Sequence, residues 1–283
     1  MDLSKSDQER FWRDGYLIIR GVFSQGEIEQ ARQRIEQILA EEGGRKSEDA
    51  LVGALDLMSY PGLREWVYDP RVLTVVSALL GQEPIYFGDS SFQTGRGARG
   101  WHKDNRVVDR FDHRGLDWQG QYPLIRIGIY LQDHIRHSGG LGIRVGSHEA
   151  FWGAKLGLPY KLRKGITLLH GKPIHVDSRA GDLVVWTLRT THTGNSVRIK
   201  PLPWLKLPTG LEGRVPSWLA IPDDKKRAAM FATYAAKSEH LDRYLEYLKT
   251  RDYAREMWKN ARITNEVREA AREKGLQVMS VPV

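Results

Sequence analysis

The chain has 283 residues, a net charge of +8, 41% apolar residues and no cysteine. That length suffices for one large domain with a well-buried core, and the missing cysteines exclude disulfides and Cys-ligated zinc or iron–sulfur clusters, leaving His and carboxylate to hold any metal. The opening Met1-Asp2-Leu3-Ser4-Lys5-Ser6-Asp7 lacks the apolar centre of a signal peptide and no run is apolar enough to span a bilayer, so the expectation is a soluble, cytoplasmic protein with no membrane partner.

In chain order, Tyr16 to Val22 is apolar and β-prone, and Ser24-Gln25-Gly26-Glu27 has the spacing of a capping box. The helix it opens carries Ile28, Ala31, Ile35, Ile38 and Leu39 at helical period. Asp69-Pro70 starts a second helix through Val72, Val75, Val76, Leu79 and Leu80, and Gly81 ends it. From Ile85 to Tyr234 short apolar runs alternate with turns, predicting strands at 85–92, near 100–103, and at 124–132, 141–145, 174–177, 183–188 and 228–234. Such a series of short strands suggests a sandwich or barrel. The chain then returns to amphipathic helix over 241–258 and again near 265–273. No Ser/Pro/Gly-rich linker, low-complexity tract or repeat divides it, so residues 1–283 read as a single domain with a β core at about 85–235 and helical additions at both ends.

Two stretches carry chemistry: Trp101-His102-Lys103-Asp104, and Gly181 to Trp186 running on to His192-Thr193-Gly194-Asn195. On an extended segment, residues two apart point the same way, so His102 and Asp104 can present an imidazole and a carboxylate to one ion. His192, from a distant strand, would complete two histidines and a carboxylate with open positions, the set that suits iron(II) and oxygen. The chain holds two further His-x-Asp triplets. His240/Asp242 falls in a helical pattern, where residues two apart diverge. For His175/Asp177, Ser178-Arg179-Ala180-Gly181 reads as a turn joining two antiparallel strands; that hairpin would carry His192 about eight residues beyond, too far to share an ion. Only His102/Asp104 is then left free to join His192.

Arg96, Arg99, Arg106, Arg110 and Arg114 crowd this region with Lys103, against Asp104, Asp109 and Asp112. They make either a basic mouth for a carboxylate or phosphate, or a solvated loop. No Lys/Arg run with interleaved aromatics marks a nucleic-acid binder, which disfavours that partner. His113, His134, His137, His148 and His170 read as surface or structural hydrogen-bonding groups, and Trp101, Trp118 and Trp186 as core or pocket wall.

These stretches, with Phe11 to Phe23, Ser138-Gly139-Gly140-Leu141-Gly142-Ile143-Arg144-Val145-Gly146-Ser147-His148 and Ala180 to Trp186, stand in an order that resembles the phytanoyl-CoA dioxygenase-like branch of the iron(II)/2-oxoglutarate oxygenases. The resemblance spans residues from about 10 to 235. It implies a mainly β fold with flanking helices, a double-stranded β-helix (a jelly-roll, cupin-like barrel), with His102, Asp104 and His192 as iron ligands. It also implies a basic residue gripping the far carboxylate of 2-oxoglutarate. Arg227, opening Arg227 to Tyr234, fits that description; Arg198, six residues past His192, is the rival, and Gln93 is a second candidate contact. The chain departs from the family between 199 and 226, where an insertion, either a lid or a packed surface loop, is required if Arg227 is the residue. Val145 also stands where the family has Pro.

The implied reaction consumes 2-oxoglutarate and O2, releases succinate and CO2, and oxidises a C–H bond of a small metabolite. An anionic substrate is favoured by the Arg-rich mouth, with Arg99, Arg106, Arg126 and Trp118 as candidate contacts. Related halogenases replace the ligand carboxylate with a small residue, so Asp104 argues for hydroxylation; desaturation, ring closure and epimerisation stay open. The competing readings are a cupin-like metal protein without 2-oxoglutarate and a nucleic-acid demethylase of the same cofactor chemistry. Nothing in the sequence sets an oligomeric state.

Overall fold

The structure is a computed structural model and describes every residue except 1, 48, 97–99, 107–109 and 283. In chain order its elements are α1 (Lys5–Asp14), β1 (Tyr16–Ile19), α2 (Gln25–Glu42), β2 (Arg45–Ser47), β3 (Asp49–Val52), α3 (Pro70–Leu80), β4 (Ile85–Arg96), β5 (Leu124–Tyr130), β6 (Gly140–Val145), α4 (Tyr160–Leu169), β7 (Lys172–His175), β8 (Leu183–Thr187), β9 (His192–Ser196), α5 (Thr209–Glu212), β10 (Ala228–Ala235), α6 (Glu239–Lys249), α7 (Asp252–Lys259), α8 (Asn265–Glu273) and β11 (Gln277–Val278).

The strands form two sheets. The larger runs β1-β8-β5-β10-β4-β3-β2, with β11 beside β4; the smaller is β7-β6-β9. Strand alternation sends one side chain in two from each sheet into the space between them. Tyr130, Val184, Trp186, Ala229 and Phe231 of the large sheet thus meet Leu141 and Ile143 of the small one, with Val176 just beyond β7. The odd positions of β5, Ile125, Ile127 and Ile129, point the other way and pack with Leu183, Val185 and Met230 against Ile28, Ile35 and Ile38 of α2 and Val72, Val75 and Val76 of α3. This is a jelly roll with helices on the outer face of its large sheet, as the resemblance implied.

The caps follow from local chemistry. Ser24 and Glu27 make the full reciprocal capping box, and α3 has Asp69 as N-cap, Pro70 in its first turn and left-handed Gly81 at its end. Helix α1 was not expected: Phe11 is its only fully buried residue, so its apolar stripe is too thin to read.

Two strand expectations are corrected. No strand forms at 100–103 among the described residues; His102 instead makes an isolated bridge with His192, each N–H donating to the other's carbonyl at 2.9 Å. The 178–181 turn does not close a hairpin. It carries the chain from β7 in the small sheet to β8 in the large one, where β8 pairs with β1 and β5. No hairpin therefore carries His175 far from His192. His175 lies one strand over, opposite Gly142, which also faces Thr193. It stays out of the site because its ring is committed to Ser196 Oγ at 2.9 Å and the Leu205 carbonyl at 3.1 Å.

Residues 199–226 pack on the outer face of the small sheet. Lys206, in a buried pair with Glu212, covers Gly142 and lies 5.2 Å from the Trp101 ring, while Ile199 bridges Ala220. Around Lys206 and Ile199 the segment packs as a surface layer, and its end brings Asp223 beside Gly139.

Candidate metal centre

The bridge between His102 and His192 sets the site. It brings the two rings to 4.3 Å between centroids, and Asp104 follows two residues on, its N–H donating to the Leu188 carbonyl at 3.0 Å. His102 Nε2 then stands 3.7 Å from Asp104 Oδ1 and His192 Nε2 stands 3.4 Å from Asp104 Oδ2. One ligand atom from each of the three lies within 4.8 Å of the others, the one such cluster among the described residues.

The histidines are oriented for a metal. Nδ1 of His102 meets the Gly100 carbonyl at 2.8 Å and Nδ1 of His192 meets the Thr190 carbonyl at 3.0 Å. A carbonyl accepts only, so each Nδ1 carries the proton and each Nε2 lone pair faces the carboxylate. Burial pushes His192 down to about 4, and it is neutral at physiological pH. Burial alone would raise the Asp104 carboxyl, but His192, Arg126 and His102 outweigh it and hold the group below the usual carboxylate range. The donor set of two neutral imidazoles and one carboxylate fits iron(II).

Three supports were not legible in the sequence. Arg126 faces inward from β5 and reaches Asp104 Oδ2 at 3.3 Å and Asp89 Oδ1 at 3.6 Å, and the Tyr244 hydroxyl of α6 donates to Asp89 Oδ2 at 3.4 Å. Burial would strip charge from Arg126, yet the two carboxylates keep it charged. The third is Lys103, which is fully buried between the ligands. Its ammonium donates at 2.7 Å to the carbonyls of Ser147 and Arg189, tying the 102–104 segment to the turn that leads into His192. Strand alternation pointed Arg126 either in or out with equal ease, and nothing local marks Asp89 as its partner. We expect Arg126→Met to cost about 3–5 kcal/mol of stability, because two buried carboxylates lose their counter-charge. Urea unfolding measures it, and a loss under about 1 kcal/mol would show that the pair is solvated.

The other expected residues fall as follows. Arg227 is buried at the start of β10, its Nε donating to the Gly139 carbonyl at 3.1 Å and its Nη1 lying 3.4 Å from the Gly95 carbonyl, with the Tyr130 ring 5.9 Å away. Asp223 is within electrostatic reach of it, while its hydrogen bonds go to backbone carbonyls. Arg198 is instead consumed by Asp177 and by the carbonyls of His137 and Pro203. Gln93 is half-buried on β4, opposite Ala229 on the face that looks between the sheets. Arg106 is half-buried on the loop after Asn105, and Arg99 lies outside the described residues. Trp118 stacks on His113 at 3.3 Å and is reached by Lys103 and Arg189. Trp186 is the aromatic that walls the centre, 5.5 Å from His192, and its buried Nε1 has no partner.

Several remaining histidines are structural. His134 bonds Gln132 and Ser178, His148 bonds the Trp12 carbonyl, and His113 accepts from the Phe151 N–H. Burial lowers His113 and His134 to about 3 and His175 to about 4. Because these folded values lie below the ordinary value near 6.5, the unfolded chain takes up protons first as pH falls. Stability is thus full above about pH 6.5 and declines towards pH 4, by up to about 1.4 kcal/mol per pH unit for each histidine. Thermal melts at pH 7 and pH 5 should differ accordingly; equal midpoints would sink this reading.

A jelly roll presenting two imidazoles and one carboxylate between its sheets has the build of the mononuclear non-haem iron oxygenases. The family model for phytanoyl-CoA dioxygenase (PhyH) matches residues 11–198, and the chain belongs to that family of iron- and 2-oxoglutarate-dependent oxidoreductases. Among solved structures, HygX from Streptomyces hygroscopicus with nickel, 2-oxoglutarate and hygromycin B bound has a TM-score of 0.59 at 18% identity, covering 83% of this chain and 88% of its own. EctD from S. alaskensis with 2-oxoglutarate and 5-hydroxyectoine scores 0.54 at 17% identity, covering 83% and 76%. The carbocyclase SnoK from nogalamycin biosynthesis scores 0.55 at 19% identity, covering 85% and 91%. At these identities the likeness is one of fold. No curated protein matches the chain.

Proposed function

We propose that the whole chain works as one oxygenase domain that oxidises a C–H bond of a small metabolite, with His102, Asp104 and His192 as the iron ligands and Arg227 as the grip on the far carboxylate of 2-oxoglutarate. The observation that carries this is the pairing of a preformed triad with a buried guanidinium whose hydrogen bonds go to backbone carbonyls, with Asp223 within electrostatic reach but not hydrogen-bonded to it. A buried cation of this kind is costly unless a carboxylate arrives to pair with it.

When bound, iron(II) and 2-oxoglutarate supply the oxidising chemistry from O2, with succinate and CO2 as coproducts. The chain's own residues position and insulate. Gly100 and Thr190 fix the histidine tautomers, Arg126 holds Asp104 ionised, and Tyr130, Trp186 and Phe231 keep water out of the space between the sheets. Gln93 and the Trp186 N–H are further polar contacts for the cosubstrate. Relatives crystallised with hygromycin B and 5-hydroxyectoine support a polar small molecule as substrate. Arg106, with Arg99, favours an anionic one; Arg126 no longer argues for it, since two carboxylates already take its charge.

The test is an anaerobic titration with iron(II) and then 2-oxoglutarate, following the visible charge-transfer band of the chelated cosubstrate. A saturable band, absent in His102→Ala, supports the assignment. Iron binding without a band would leave a cupin-like metal protein.

A further inference from the structure

Helix α4 is turned the wrong way for a helix packed on a core. Its buried side is Thr167, flanked by half-buried Arg163 and Ile166, whereas Leu162, Gly165 and Leu169, spaced three and four apart, share the outward face. Leu162 is 52% and Leu169 67% exposed, and just ahead of the helix Trp152 is 70%, Leu156 44% and Tyr160 51% exposed. The short turn of helix at Trp152–Lys155 packs against α4, so these side chains belong to one region of surface.

Within the segment itself the charge is of one sign. Residues 150–176 contain Lys155, Lys161, Arg163, Lys164 and Lys172 and no Asp or Glu, and all four lysines are exposed. Asp112, within electrostatic reach of Arg163, is already held by Arg114 at 2.8 Å. Glu149 borders the segment and lies beside His148. A second copy meeting this face symmetrically would set five cations against five, which repels. Nucleic acid would use the charge and could stack on Trp152 and Tyr160, but it offers nothing to three exposed leucines. An anionic bilayer takes both: leucines and tryptophan enter the acyl boundary while lysines meet the headgroups.

We propose that residues 151–170 form a docking surface for anionic lipid, lying on the bilayer and not crossing it. No helix among the described residues is long and apolar enough to span one. The surface adjoins the loop that follows the metal ligands, through the Tyr160–Phe111 ring contact at 6.0 Å and the bond from Phe151 N–H to His113 at 2.8 Å. Docking would therefore bring that loop close to the membrane.

The experiment is co-sedimentation of the full chain with vesicles of phosphatidylcholine alone or mixed with phosphatidylglycerol. Binding to the mixed vesicles, weak or absent on the neutral ones, is expected. It should fall about tenfold or more in Leu162→Glu/Leu169→Glu and in Lys161→Glu/Lys164→Glu, which change exposed residues outside the candidate metal and cosubstrate sites. Circular dichroism and the iron/2-oxoglutarate titration, unchanged in both variants, separate this result from failure of the oxygenase reading. No binding to the anionic vesicles, or binding untouched by both variants, overturns the proposal. So does a dimer, or capture of a single-stranded oligonucleotide, that Leu162→Glu/Leu169→Glu abolishes while vesicle binding stays.

Discussion

Asp104→Ala should lose iron affinity by more than the ~10–100-fold that follows loss of a group merely supporting a ligand, and should release no succinate above background. The fold should survive. Removing the carboxylate leaves Arg126 paired with Asp89 at 3.6 Å, and the His102–His192 bridge is made by backbone groups that the substitution does not touch. The expected pattern is thus near-native unfolding by urea with no charge-transfer band on addition of iron and 2-oxoglutarate. A variant that still forms the band would remove Asp104 from the ligand set. A variant that unfolds would show that Asp104 serves chiefly to balance Arg126, and Asp104→Asn, which keeps the shape without the charge, would then separate the two roles.

Arg227→Met should weaken 2-oxoglutarate by about 100-fold while leaving iron binding intact, since a buried guanidinium–carboxylate pair is charge-assisted and bidentate. Methionine keeps much of the side-chain volume, and the carbonyls of Gly139 and Gly95 that lose a donor are the same ones that would otherwise hold an unpaired cation. Arg198→Met is the control. Its guanidinium is spent on Asp177, His137 and Pro203, so it should leave cosubstrate affinity unchanged whatever it costs in stability. Titrating 2-oxoglutarate into each iron-loaded variant decides between them; a larger loss in Arg198→Met would reverse the assignment.

Much of this architecture is written in local pattern. Ser24 with Glu27, Asp69-Pro70 and Gly81 are short-range signals whose physics is complete within one turn, and each helix end formed where they stand. The final helices also follow their apolar period, with one break at Thr250 and Arg251 between α6 and α7. The candidate triad of His102, Asp104 and His192 was legible as types and spacing, because His102 and Asp104 need only an extended segment to share a side.

The partners across the fold were not legible in this way. Whether 178–181 closes a hairpin or crosses between sheets depends on which strand offers β8 its hydrogen bonds, and β1 and β5 offer them on both sides. That Arg126 answers Asp89 and Asp104, that Lys103 turns back to Ser147 and Arg189, and that Arg227 bonds the Gly139 carbonyl are outcomes of packing segments 20 to 90 residues apart. Helix α4 shows the same limit, since its apolar face points outward. Residue types and their spacing carried the helix caps and the pairing of His102 with Asp104 because those interactions are local. Charge pairing, burial and the direction each face points came from long-range contacts, whose energy depends on neighbours that no window of sequence contains.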